Sequence, residues 1–91
     1  MVEGETILVV NPNENDKYIV EVVKDIITSL GKVVSSENWG LRKLAYPMDG
    51  HNSGKYTLIE FKSNNFNKLV DKLEKYYKEE PKIIKHIIVK K

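Results

Sequence analysis

The chain holds no cysteine, only two histidines, three prolines, one tryptophan and two phenylalanines among its 91 residues. Without cysteine there is no disulfide, no thiol nucleophile and no Cys-ligated zinc. The histidines, His51 and His86, stand apart, and neither has a second His or Cys at ligand spacing, so no metal site is expected. No apolar run approaches the ~20 residues that span a bilayer. The start, Met1-Val2-Glu3-Gly4-Glu5, is acidic where a secretory signal would be basic. Ser35, Ser36 and Ser53 belong to no nucleophile motif, and the five glycines are too scattered for a phosphate-cradling loop. The expectation is a protein of the cytoplasm with neither catalytic function nor cofactor.

What is present describes one globular domain, residues 1–91. Hydrophobic residues make up 41% and charged residues 31%, a balance that supports a core and not a disordered tail. A chain of this size buries roughly 60–65% of the surface its unfolded form exposes. The net charge of +2 hides an asymmetry. Residues 1–61 carry six cations and nine acids, whereas residues 62–91 carry nine lysines and four acids. A basic C-terminal third suits a polyanionic partner, although taken alone a lysine-rich solvated helix face with a frayed lysine end is the commoner origin of such a run.

The first apolar run, Thr6-Ile7-Leu8-Val9-Val10, is short, β-rich and stopped by Asn11-Pro12-Asn13, which reads as a buried strand and a turn. Asn15 or Asp16 caps a helix whose stripe is Ile19, Val22, Val23, Ile26, Ile27 and Leu30, with Gly31 as its left-handed terminator. Lys32 to Tyr46 reads as a long strand bent or bulged near Gly40, followed by a turn-rich loop at residues 49–54. Lys55 to Lys62 alternates, with Thr57, Ile59 and Phe61 on one face and Tyr56, Leu58 and Glu60 on the other. Asn64 or Asn65 opens a second helix, with a stripe of Phe66, Leu69, Val70, Leu73, Tyr76 and Tyr77, that ends before Pro81. Ile83 to Val89 forms the last strand. The order β-α-β-β-α-β predicts an α+β, ferredoxin-like sandwich. Right-handed crossovers give a four-stranded antiparallel sheet of order 4-1-3-2 with both helices on one face.

This architecture serves many functions, so the residues must decide. An acylphosphatase-like anion loop would need an Arg after the first strand, where Asn11-Pro12-Asn13-Glu14 stands. A base-stacking domain of the RNA-recognition type would need an aromatic where Leu58 lies, which leaves Tyr56 as a surface residue and Phe61 as core. The run Trp39-Gly40-Leu41-Arg42-Lys43-Leu44-Ala45-Tyr46-Pro47-Met48 is richer than a scaffold strand requires. Strand alternation sends Arg42, Leu44 and Tyr46 to one face and Leu41, Lys43 and Ala45 to the other.

Residues Gly40–Pro47, together with Asn11-Pro12-Asn13, the Gly54-x-Tyr56 hairpin exit and Lys85-His86-Ile87-Ile88-Val89-Lys90, resemble the bacterial small-subunit ribosomal protein S-six family over nearly the whole chain. The resemblance implies a structural constituent of the small ribosomal subunit that binds the central domain of the small-subunit ribosomal RNA together with ribosomal protein S-eighteen. It implies RNA contacts at Arg42, Lys43, Lys85, His86 and Lys90, and partner contacts at Trp39, Leu41, Tyr46 and Pro47. It implies no membrane and no small-molecule substrate. Three departures bear on RNA affinity: Val2-Glu3-Gly4 replaces a basic pair and Tyr, residues 49–54 lack the usual basic tip, and Lys85 stands for Arg, losing a bidentate fork. The alternative is a protein-interaction or small-ligand regulatory domain using an apolar strip of Leu8 or Val9, Leu58 and Ile88 on the open sheet face, or an engineered version that folds but binds RNA poorly.

Overall fold

The computed structural model describes residues 1–48 and 50–91, and the side chains of all of these but 45–48. Its elements are β1 (Val2–Val10), α1 (Lys17–Leu30), β2 (Gly31–Met48), β3 (His51–Ser63), α2 (Phe66–Glu79) and β4 (Ile83–Lys90). The sheet is antiparallel in the order β2-β3-β1-β4, as the crossover rule requires. Within the predicted 49–54 loop, β3 already begins at His51, paired with Met48. Asp49, also in that loop, lies outside the described residues.

Each helix buries three residues spaced by four: Ile19, Val23 and Ile27 on α1, and Leu69, Leu73 and Tyr77 on α2. That spacing places them in one row on the same face. They meet Leu8 and Val10 of β1 and Ile59 and Phe61 of β3, forming one core between the helices and the sheet. The other apolar residues of each stripe flank this row, half-buried.

Two features of the helix ends differ from the sequence expectation. Gly31 is not a left-handed terminator; its backbone is extended (φ −172°) and it opens β2. It is glycine because of crowding. A Cβ there would collide with the Lys62 carbonyl oxygen and lie 2.9 Å from Ser63 Cβ. The cap residues Asp16 and Asn65 also make no side-chain cap bond. The Asn15 side chain accepts from the Lys17 N–H instead (3.0 Å). Buried Ser63 accepts from the Asn65 N–H (2.9 Å) and donates to the Leu30 carbonyl (2.6 Å). One hydroxyl thus serves the end of α1 and the approach to α2, satisfying backbone groups that helix termini leave open.

The β2–β3 hairpin is bent. Eighteen extended residues would run about 60 Å at ~3.3 Å each, yet the longest dimension of the molecule is 38 Å. The strand sheds length at register shifts between Val33 and Ser35, Asn38 and Gly40, and Lys43 and Met48. At the second, Trp39 and Gly40 together oppose Tyr56, and Gly40 takes φ 73°, a conformation that favours glycine. The Asn38 side chain accepts from the Gly40 N–H at 2.7 Å and holds the bulge.

Candidate nucleic-acid interface

The helices cover one side of the sheet, and the cross-strand register defines what the other side presents. Residues directly opposite on neighbouring antiparallel strands share a face. From the hairpin-tip side downward, the open face carries Arg42 beside Gly54. Next comes a row of Gly40, Tyr56, Val9 and Lys85, then Glu37, Leu58, Ile7 and Ile87, then Ser35, Glu60, Glu5 and Val89, and last Lys32, Lys62 and Glu3. The face is banded: cationic and aromatic at one end, apolar in the middle, mixed charge at the other.

Most charges of the mixed-charge end are paired with one another. Lys62 meets Glu3 at 3.3 Å, and Lys91 meets Glu60 at 3.3 Å and Glu5 at 3.8 Å. These exposed pairs add little to stability, but they neutralise that end. Among the described residues, Arg42 and Lys85 have no such ion-pair partner. Lys32 is unpaired as well, but at its end three cations (Lys32, Lys62 and Lys91) balance three acids (Glu3, Glu5 and Glu60), so the excess positive charge of the open face lies with Arg42 and Lys85 at the aromatic end.

The Asn38–Gly40 bulge decides which cation is presented there. In an unbroken strand, Trp39 would share its face with Leu41 and Lys43. The extra residue shifts the alternation by one, so Arg42 opposes Gly54 on the open face and Lys43 opposes Ser53 on the helix side. The expectation that the two cations diverge is met. Leu44, expected beside Arg42, is 8% exposed, whereas Arg42 is exposed, so their surroundings differ. Trp39 lies over Tyr56, ring centroids 6.4 Å apart and planes 15° from parallel, and its indole N–H donates to Glu37 (3.1 Å).

The remaining sequence candidates separate. His86 opposes Leu8 on the helix side; its Nε2 lies 3.0 Å from Glu74 and its ring 4.7 Å from that of Tyr77. Lys90 opposes Gly4, also on that side, and is exposed at the sheet edge. Leu41 is 61% exposed opposite Lys55. The side chains of Tyr46 and Pro47 lie outside the described residues.

The predicted apolar strip needs correction. Leu8 is fully buried in the core, and Ile88, opposite Thr6, packs against it. The apolar band of the open face is instead Ile7, Leu58, Ile87 and Val89 around the covered Val9, with Ile87 42% and Val89 43% exposed. Tyr56 and Leu58 stand on the open face as the alternation of β3 predicts, and Ile7 is the member of the band that the sequence pattern does not reveal.

Behind the sheet, a cleft of about 430 Å³ separates the start of α1 from β2 and β3, bordered by Asp16, Lys17, Glu21, Lys24, Asn38 and Thr57. It gathers charges of both signs from one helix and brings no histidine to them. No group of three His, Asp or Glu side chains that could hold a metal occurs among the described residues.

Fold and face together define a split βαβ domain that keeps one sheet surface bare, with aromatic, cationic and apolar groups on it. The family model for Ribosomal protein S6 matches residues 5–90. The small ribosomal subunit protein bS6 of Phocaeicola vulgatus is 36% identical over 94 residues, spanning 99% of this chain and 81% of the relative. That of Christiangramia forsetii is 37% identical over 90 residues, 94% of this chain and 79% of the relative. The crystal structure of 30S ribosomal protein S6 from Thermotoga maritima superposes with a TM-score of 0.91 at 32% identity, covering 99% of this chain and 87% of that one. The chain belongs to the ribosomal protein S-six family, a family of structural small-subunit proteins and not of enzymes. Its place is the small subunit of the cytoplasmic ribosome.

Proposed function

We propose that the chain binds the central domain of the small-subunit ribosomal RNA together with ribosomal protein S-eighteen. The observation that carries this reading is the banded open face. Its aromatic end carries two cations without ion-pair partners, Arg42 and Lys85, and the exposed apolar residues Ile87 and Val89 lie on the same face. Phosphates neutralised by Arg42 and Lys85 release counterions and give affinity without reading sequence. Lys43 and Lys90, exposed on the strand edges, reach the same RNA from the helix side. His86, held between Glu74 and Tyr77, positions β4 and touches RNA only at its margin. The partner protein takes the apolar band and the exposed Leu41, with Tyr46 and Pro47 next to it in sequence.

Phosphate contact is a matter of charge and position, so the protein's task is to hold cations in register on a stiff sheet. Lys85 contributes a point charge, where an arginine would offer a fork. Glu3, on the N-terminal strand, is tied to Lys62 and faces the same side. Both features favour binding that depends on the partner protein to complete the site.

The test is the affinity for a central-domain RNA fragment with and without S-eighteen at several salt concentrations. The expected result is tighter binding with the partner and an affinity that falls steeply with salt. Arg42→Ala should weaken binding to all RNA sequences by a similar factor and reduce the salt slope by about 1. Absent or salt-independent binding under both conditions would overturn the proposal.

A further inference from the structure

The stacked Trp39–Tyr56 pair has no counterpart in the requirements of the core. It lies on the bare face, is absent from the buried cluster, and exists because the Gly40 bulge adds a residue opposite Tyr56. We infer that it is a stacking platform for one unpaired nucleobase of the bound RNA, with Arg42 and Lys85 taking the neighbouring phosphates. The inference rests on the RNA-binding reading above and specifies the chemistry of its site.

Three observations support it. First, the rings are 15° from parallel at 6.4 Å, and Trp39 is 38% exposed, so an aromatic surface remains open beyond the pair. Base–aromatic stacking uses such a π-face and tolerates any base. Second, the polar handle of the indole is already committed. Its N–H donates to Glu37, which fixes the ring plane and leaves the π-face as the means of recognition. Third, the charges next to the pair are directional. Lys85 ends the same cross-strand row as Tyr56, and Arg42 stands two residues beyond Gly40 on the same face. Glu37 lies on the opposite side, toward the apolar Leu58, Ile7 and Ile87. A phosphate backbone is thus drawn toward the Arg42 and Lys85 end and repelled from the Glu37 side. A cationic side chain from a partner protein would also stack on Trp39, but it would meet those same two cations.

Trp39 is the only tryptophan, so its fluorescence reports the platform alone. The emission of the wild-type chain is followed as S-eighteen and then the central-domain RNA fragment are added. Affinities of Trp39→Leu and Trp39→Phe are measured with labelled RNA, and their melting temperatures are compared with wild type. The expected result is quenching on RNA addition. Trp39→Leu should lose on the order of 5- to 150-fold in RNA affinity, the range of one stacked base, with Trp39→Phe retaining most of it. The salt slope of Trp39→Leu should match wild type, because stacking releases no counterion, whereas Arg42→Ala lowers it. Wild-type affinity in Trp39→Leu would overturn the platform while leaving RNA binding intact. So would an emission change caused by S-eighteen alone, which would assign Trp39 to the protein partner. No RNA binding by the wild-type chain would overturn both readings.

Discussion

Thr6 and Tyr77 offer a prediction in which the order of effects is fixed by donor counting. Both are buried, and their hydroxyls lie 2.8 Å apart. The Thr6 hydroxyl also lies 3.0 Å from the Ile87 carbonyl, which can only accept, so Thr6 donates there. Its single proton being spent, the bond to Tyr77 must run from the tyrosine O–H to the Thr6 oxygen. One threonine thus links the central strand β1, the edge strand β4 and helix α2.

The two single deletions are therefore unequal. Tyr77→Phe removes a donor and leaves Thr6 still bonded to Ile87, at a cost of about 1 kcal/mol for one hydrogen bond. Thr6→Val keeps the shape but strands a buried tyrosine O–H and takes the side-chain bond from the Ile87 carbonyl. That combination costs about 3 kcal/mol, or roughly 12–24 °C of melting temperature for a domain of this size. The double variant removes the stranded hydroxyl and should be more stable than Thr6→Val alone. Urea unfolding followed by far-UV circular dichroism measures all four proteins. A larger loss in Tyr77→Phe than in Thr6→Val, or losses that simply add in the double variant, would refute the donor assignment.

Other outcomes follow from the same geometry. Ser63→Ala leaves the Leu30 carbonyl and the Asn65 N–H without their side-chain partner and should cost about 2 kcal/mol in the same urea assay. Gly31→Ala drives a methyl into the Lys62 carbonyl and should cost about 3 kcal/mol; a neutral effect would show that the β2–β3 register yields there. Burial, with smaller contributions from Glu80 and Tyr18, pushes the Tyr76 phenol up to about 12, and burial raises Tyr77 further still. Raised values favour the neutral phenols in the folded chain, so their contribution is complete below about pH 10, the ordinary tyrosine value, and is lost as pH rises through the folded values. Urea midpoints should therefore fall above pH 10, and less steeply in Tyr77→Phe.

The helices were legible because their apolar residues recur every three or four positions, a period that fixes the buried face at once. The strand order followed from crossover handedness and the two amphipathic stripes. The faces of β1 and β4 were not legible. Thr6-Ile7-Leu8-Val9-Val10 is apolar on both faces, and Ile83-Ile84 and Ile87-Ile88-Val89 double the pattern again, so no alternation says which residue meets the helices. Only pairing with β3, where Thr57, Ile59 and Phe61 alternate clearly, sets Leu8 inward and Ile7 outward. Gly31 was misread because the same residue serves a left-handed cap and a close backbone approach. The Trp39–Tyr56 contact was illegible for a different reason: it joins two strands through a bulge, and a bulge near Gly40 does not by itself reveal which residue is the extra one.

Whether the excess positive charge at the aromatic end of the open face meets phosphate is decided by one titration series. Binding of the central-domain RNA fragment with S-eighteen present is measured against salt for the wild-type chain, Arg42→Ala, Lys85→Ala and Lys62→Ala. Arg42→Ala and Lys85→Ala should each reduce the logarithmic salt slope by about 1, while Lys62→Ala, whose charge is already paired with Glu3, leaves it nearly unchanged. A slope untouched by Arg42→Ala and Lys85→Ala, or reduced most by Lys62→Ala, would contradict phosphate contact at that end.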